Sequence, residues 1–560
     1  ALSTQPWRSP GKPQALFSLP APRWPVECEV IQETIEHIEW VPPEPEPFCP
    51  PMGPEQAPDT LSKEQGTIVY HSSPVLQGSC FTGARGGGAP GPLSSPAAPL
   101  KSPQDTMLLF ESRFESGNLQ KVIKVGPYEY VLTLRLDLYM AKHTQWFCFH
   151  VQNTRREPLC RFTIANMAKA KSLYDEGLRP LLYSQQDARS RGIGWRQVGT
   201  DVRYYRGSVG EPPVFRLSWT VCFPHDGDTC FFAASYSYTY SDLQRYLRVL
   251  VDDPARSRYC AVQALCRGLA GNTVYLLTIT GPGSMAGKRV VVASARVHLG
   301  ESGSSWAMRG FLDFLLSAHV DAQLLCRLFV FKVVLMLNPD RVVVGNSCCS
   351  LAGRDPNRAY GTALPGSFPA VWHLGAMVQR VLAEWEVVLY CDFHGHSRKN
   401  VFMYGCDAGR DGAGTRLHQR VFPLMLSKNA PSKFSFTSCK FQVQKSKEGT
   451  GRVSMRRLGV SHSYTLEVAF SGSTLGGRSS HFSVEDLESL GRLLCDTLLD
   501  FRDPAPAKIW LRPGPGGATS TVLQLQQCLA EADALLQRQM GRDSGSGGSW
   551  SDVSPSELES

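Results

Sequence analysis

The chain has 560 residues, 42% of them hydrophobic and 19% charged, with 58 Lys and Arg against 50 Asp and Glu for a net charge of +8. That length predicts roughly two to four folding units, and the apolar content excludes wholesale disorder. The mild basicity suits acidic partners but is too small to imply nucleic-acid binding, so none is expected. No membrane association is expected either. The most apolar run, Leu324 to Leu337, is broken by Arg327 and Lys332, and the opening ALSTQPWRSPGKP lacks the apolar core of a secretory signal. Seventeen cysteines without a Cys-x-x-Cys pair argue against zinc fingers and thioredoxin-like sites and for reduced thiols in a cytoplasmic protein.

Residues 1–106 are rich in Pro, Gly and Ser, as in Gly83-Ala84-Arg85-Gly86-Gly87-Gly88. They are expected to be largely disordered, apart from Trp24 to Trp40, which has enough apolar residues to dock as a strand or short helix. From residue 107 to 240 the signal is β. Tyr128, Tyr130, Leu132, Leu134, Leu136 and Leu138 alternate with Glu129, Thr133, Arg135 and Asp137, the pattern of a half-exposed strand. Similar runs at Gln145–Val151, Val214–Cys222 and Cys230–Tyr236 predict an antiparallel β-sandwich.

Residues 241–503 read as α/β. Apolar runs dense in β-branched residues (Val274–Thr280, Val290–Val297, Phe329–Leu337, Val387–Cys391) are separated by helical stretches at Trp306–Ala318, Val371–Glu384 and Val484–Phe501. Buried strands alternating with helices predict a sheet covered on both faces. Residues 504–560 read as a flexible tail with one amphipathic helix, Thr521–Gln539.

The residues able to carry chemistry lie where these buried strands end. His298 and Glu301 follow the strand Val290–Val297, in front of a helix whose expected N-cap is Ser304 or Ser305. An imidazole and a carboxylate three residues apart can converge on one metal ion, and two His with one Glu is a common catalytic zinc set. Strand ends are also where α/β sheets place ligands. His394 stands at the end of Val387–Cys391, and His396 shares its face only if the strand continues past Gly395. Asp355 can accept the second N–H of a metal-bound imidazole. Asn357 and Arg358 can grip a carboxylate. Glu467 is a lone acid in the apolar run Ser463–Phe470; facing the sheet end, it would be desolvated toward general-base duty.

His298-x-x-Glu301, Asp355-x-Asn357-Arg358, Asp392-Phe393-His394 and Thr465-Leu466-Glu467, in that order, resemble the zinc metallocarboxypeptidases. The passages LLFESRFESGNLQKV, YTYSDLQRYL, NPDRVVVGN, SLAGRDPNRAY, YCDFHGHSRKNVFMYGC and QKSKEGTGRV narrow the resemblance to the cytosolic carboxypeptidases, in particular the type 2 and type 3 tubulin deglutamylases, over roughly residues 107–500. The resemblance implies a mixed α/β carboxypeptidase sheet flanked by helices and preceded by an antiparallel β-sandwich. It implies one zinc ion held by His298, Glu301 and His394, with Glu467 as catalytic base, Asp355 orienting His298, and Asn357 and Arg358 holding the terminal carboxylate. Arg452 would lie nearest the side-chain pocket, within a basic segment that includes Lys445, Lys447, Arg456 and Arg457. The implied activity is removal of C-terminal or side-chain-linked glutamate from tubulin tails and other polyglutamylated acidic proteins, in the cytoplasm and on the cytoskeleton, including centrioles and ciliary basal bodies.

The chain departs from that pattern at Leu299 (usually Pro), Arg341 (Gly), Ser347-Cys348 (Tyr-Arg), Pro356 (Leu) and Arg456 (Trp). A thiol at Cys348 offers no charge comparable to a guanidinium. Two alternatives therefore stay open: a catalytically weakened microtubule-associated binding protein, and a carboxypeptidase removing a different terminal residue such as tyrosine.

Overall fold

The computed structural model describes residues 19–31, 38, 40–50, 66–72, 84–86, 100, 102, 104–138, 144–207, 214–283, 285, 287–347, 350–361, 364–407 and 413–502. The expected tail, its helix Thr521–Gln539, and Cys348 lie outside these residues. No helix among those described is long and apolar enough to cross a membrane.

The first domain is the expected sandwich. A six-stranded sheet runs in the order Thr200–Arg206, Phe215–Val221, Cys160–Met167, Glu129–Leu134, Leu119–Gly126, Thr67–His71. It faces a five-stranded sheet in the order Arg196–Gln197, Leu181–Ser184, Cys230–Ala233, Cys148–Gln152, Leu109–Glu111. All pairings are antiparallel except that of Glu129–Leu134 with Cys160–Met167. Phe110, Phe149, Phe162, Trp219 and Phe232 fill the space between the sheets. The outer face of the five-stranded sheet is also buried: Cys148, Leu181, Tyr183, Phe231 and Ala233 join the core of the second domain. These strands therefore read as continuous apolar runs rather than as the alternation expected of a half-exposed strand.

The boundary at residue 107 is corrected by the structure. Thr67–His71 is an edge strand of the six-stranded sheet, and Ala84–Gly86, also in the stretch expected to be disordered, pairs with Arg23–Pro25, at the start of the segment Trp24 to Trp40 expected to dock. Trp24 is buried and donates its indole N–H to Val343 O in the second domain at 3.1 Å. Thr67–His71 and Ala84–Gly86 order by pairing with distant chain, which local composition does not report. The strand expected over Tyr128–Leu138 stops at Leu134; beyond it Leu136 is exposed while Asp137, on the expected polar face, is buried and accepts from Ser347 N.

The second domain is built on an eight-stranded mixed sheet. Its order is Cys260–Arg267, Thr273–Ile279, Phe329–Val334, Arg289–Ala295, Val387–His396, His462–Ala469, Phe402–Asp407, Lys440–Gln442. The four central strands are parallel. Alternate residues serve opposite faces. Val290, Val292 and Val387 pack toward Pro369–Glu384, whereas Val291, Ala293 and Leu389 pack toward Ser302–Leu315 and Val484–Arg502. Burial on both sides explains the β-branched runs. From the central strand Arg289–Ala295 the chain crosses first to one side, Phe329–Val334, and later to the other, Val387–His396. The reversal of direction opens a crevice at the C-terminal ends of Arg289–Ala295 and Val387–His396, where open α/β sheets bind ligands.

Candidate metal centre and catalytic site

After the strand Arg289–Ala295 the chain turns through Arg296, which is left-handed (φ 59°) and fully buried. A non-glycine residue there costs roughly 1–2 kcal/mol, offset by the guanidinium, which donates to Leu299 O, Tyr238 O and Ser305 Oγ at 2.9–3.0 Å. Burial, opposed by Glu301, lowers its pKa to about 9. Arg296 thus pins the loop carrying His298 and Glu301. The helix that follows starts at Ser302, earlier than expected, with Glu301 rather than Ser304 or Ser305 at its N-cap position; Ser304 Oγ instead donates back to Glu301 O.

The second imidazole comes from Val387–His396, which runs straight through Gly395. A Cβ there would fall 2.4 Å from the Phe470 ring and 3.2 Å from Glu301 Cβ, so only glycine lets the two ligand-bearing segments close up. His298, Glu301 and His394 are all buried, with one ligand atom from each within 4.8 Å of the others. His298 Nδ1 lies 2.6 Å from Glu301 Oε1, and His394 Nδ1 lies 3.1 Å from Glu301 Oε2. The outward nitrogens are engaged as well: His298 Nε2 meets Asp355 Oδ1 at 3.0 Å and His394 Nε2 meets Asp392 Oδ2 at 2.8 Å. Each imidazole therefore turns Nδ1 inward to a shared carboxylate while its Nε2 is fixed by an aspartate, the arrangement that orients histidine ligands in metal proteins.

The electrostatics fit a cation. Burial alone would depress both histidines, yet Glu301 and Asp355 raise His298 to about 9, and Asp392 and Glu301 hold His394 well above its ordinary value. Burial would raise Glu301 and Asp355, but the imidazoles hold Glu301 far below its ordinary range and bring Asp355 to about 2. Two imidazoles among three carboxylates, shielded from water, form a donor set for a divalent ion such as zinc.

Glu467 is 4% exposed. In the parallel pairing of Val387–His396 with His462–Ala469 it stands directly opposite His394, so the ladder places it beside the cluster. Asp355 accepts from Asn357 N at 2.8 Å, capping the short turn Pro356–Arg358. Pro356 fits as the first residue of that turn, where no N–H is needed. Asn357 is buried and accepts from Gly451 N; Arg358 Nη1 lies 3.4 Å from Asp355 Oδ2. Arg452, next to Gly451, is buried, stacks 4.9 Å over Tyr404 and donates to Gly405 O. Of the rest of the basic segment, Lys445 is exposed and Arg457 pairs with Glu448 at the surface, whereas Lys447 and Arg456 are half-buried. His396 stays outside the metal group. Its ring meets Asn400 O at 3.0 Å, and burial lowers its pKa to about 3.

Three contributors received no role from the sequence, although Asp392 stands in the motif Asp392-Phe393-His394. Asp392 is two residues before His394 on one strand, which puts both side chains on one face, the spacing that would have revealed it. Ser294 Oγ donates to Asp392 Oδ1 at 2.7 Å and lies 2.9 Å from Tyr390 OH. Arg296 carries no motif signal.

Comparison with known proteins agrees with this geometry. A model of the cytosolic carboxypeptidase N-terminal domain matches residues 110–202, and a zinc carboxypeptidase model matches residues 253–381. The chain is 55% identical to human cytosolic carboxypeptidase 2, covering 98% of this chain and 61% of that protein. It is 52% identical to the Danio rerio protein of that name (95% and 74%) and 50% identical to Bos taurus cytosolic carboxypeptidase 3 (92% and 50%). The chain thus spans less than two thirds of several curated relatives. Crystal structures of metallo-carboxypeptidases from Burkholderia cenocepacia (TM-score 0.58, 20% identity, 70% of this chain and 98% of that one) and Pseudomonas aeruginosa (0.55, 21%, 70% and 97%) share the fold. Identity above half with the Danio rerio relative, over most of both sequences, places this chain in the cytosolic carboxypeptidase family.

Proposed function

We propose that the protein is a zinc-dependent metallocarboxypeptidase that removes glutamate from C-terminal or side-chain-linked polyglutamate on tubulin tails, acting in the cytoplasm and on the cytoskeleton. The observation that carries the hydrolase reading is the placement of Glu467 opposite His394, beside the buried His298–Glu301–His394 cluster.

Zinc held by His298, Glu301 and His394 would supply Lewis acidity to the scissile carbonyl and to the attacking water. Glu467 takes the proton of that water and returns it to the leaving amine; its burial keeps bulk water from competing for the transfer. Asp355 and Asp392 hold the imidazoles in one tautomer, with Nδ1 free to face the metal. Asn357 and Arg358 bind the free chain end, which restricts cleavage to terminal residues. Arg452 faces the departing residue and favours an acidic side chain. The tubulin assignment is supported by the resemblance of the sequence to tubulin deglutamylases and by the net charge of +8.

A second reading, a binding protein of weakened activity, draws on Ser347. At this position, where the resemblance leads one to expect Tyr, the Ser347 hydroxyl accepts from Gln145 N and Trp146 N and ties the two domains together. One experiment decides. The zinc-loaded full chain is incubated with a glutamylated tubulin-tail peptide and followed by mass spectrometry. Stepwise loss of glutamate is expected, falling by about 1000-fold or more in Glu467→Gln with zinc content unchanged. Zinc and peptide binding without release would favour the second reading. Peptides differing only in the last residue separate glutamate from tyrosine specificity.

A further inference from the structure

A cleft opens between the two domains, and its wall includes His298, Gly300 and Glu301. Asn357, Arg358 and Arg452 do not line it. It therefore reaches the metal cluster along a wall separate from the residues assigned to the terminal carboxylate. The facing wall comes from the sandwich domain: Lys169, Lys171, Ser172, Tyr174 and Tyr204. Among the described residues the only carboxylate in the lining is Glu301, which is committed to the two imidazoles, so the two lysines give the cleft a positive wall.

That wall is a built surface. The strand Cys160–Met167 ends just before it. Tyr204 OH donates to Lys169 O at 2.5 Å, and Ser172 caps the turn Leu173–Glu176, which closes on left-handed Gly177. Lys169 is 8% exposed, its stem packed under the loop, whereas Lys171 is exposed. Tyr174 is 6% exposed, and its buried hydroxyl, in the same lining, has no hydrogen-bond partner among the described residues. A buried hydroxyl normally finds one. Two ammonium groups and an unmatched phenol in a cleft that leads to a metal cluster are complementary to carboxylates.

We propose that this cleft is a second recognition subsite in which Lys169, Lys171 and Tyr174 of the sandwich domain bind the acidic side chains of the residues that precede the one released. The inference deepens the hydrolase reading. It gives the first domain a direct part in selecting substrate: a chain end preceded by several glutamates is held on both sides of the scissile bond.

The test uses the full zinc-loaded chain, the variants Lys169→Met/Lys171→Met and Tyr174→Phe, and two peptides ending in the same glutamate, one preceded by four glutamates and one by four alanines. The lysine variant is expected to reduce the kcat/KM preference for the polyglutamate peptide about tenfold, and Tyr174→Phe less, with zinc content unchanged. Equal losses on both peptides, or an unchanged preference, would overturn the proposal. Fluorescence anisotropy of labelled pentaglutamate on Glu467→Gln keeps the answer separate from turnover. Weaker, less salt-sensitive binding on adding the lysine substitutions supports the subsite even if the hydrolase reading fails, and unaltered binding refutes it.

Discussion

Asp355 and Asp392 do the same work from opposite sides of the cluster. Each accepts from the outward nitrogen of one imidazole, at 3.0 and 2.8 Å. Asp392 is itself held by the Ser294 hydroxyl. Replacing Asp392 with Asn keeps the shape but offers a neutral acceptor or, if flipped, a donor, so the imidazole loses its preferred tautomer and some basicity. Asp392→Asn is expected to weaken zinc binding by about 10–100-fold, measured by competition with a chromophoric chelator. Affinity equal to that of the parent protein would remove Asp392 from the set that shapes the site. At this scale the sequence was informative wherever chemistry and spacing coincide. His298, Glu301 and His394 meet as their strand-end positions required, and Glu467 lies beside them. Asp392 was visible in the motif Asp392-Phe393-His394 but without a role, because inside a buried strand an acid reads as part of the run. Arg296 was hidden because only the left-handed turn gives it a task.

At the scale of elements, the helices Ser302–Leu315 and Val484–Arg502 cross at two glycines. A Cβ on Gly310 would lie 2.0 Å from Glu488 O, and one on Gly491 would lie 2.0 Å from Ala307 O. Both clashes are with backbone, which cannot rotate away, so the helices must separate to admit a methyl group. Gly310→Ala should gain helix propensity yet destabilise the protein by about 1–3 kcal/mol through overpacking, read as a lower midpoint in urea. An unchanged or raised midpoint would mean that the helices slide freely. Because Ser302–Leu315 begins beside Glu301, the same variant should also lower zinc affinity. The buried strands and long helices were legible because sheets covered on both faces demand β-branched runs and helices demand an apolar stripe. Thr67–His71 and Ala84–Gly86 were not, because distant partners order them.

Considered as a whole, the molecule is tied across its domains by an N-terminal strap. Glu46 O accepts from His481 N, Pro47 bridges Ser480, and Cys49 N donates to Gly177 O of the sandwich domain. The Glu46 carboxylate accepts from Gln197 N, and burial, opposed by that bond and by Arg179 and Arg196, raises its pKa from 4.5 to about 7. The sign follows directly. Between these values the folded state holds a proton that the unfolded chain has released, so stability falls as pH rises from 4.5 to 7, by at most about 1.4 kcal/mol per pH unit for one group. Glu46→Gln should flatten that part of the thermal midpoint profile; a profile identical to the parent's would show that Glu46 keeps its charge on folding.

His394 and Glu467 face each other as rungs of one parallel ladder. The distance between ligand and base is thus a property of main-chain hydrogen bonds, not of side-chain fit. Insertions and substitutions can accumulate in the surrounding loops and helices without disturbing it, whereas a slip of a single residue between these two strands would carry Glu467 to the other side of the sheet and separate the proton acceptor from the cluster altogether.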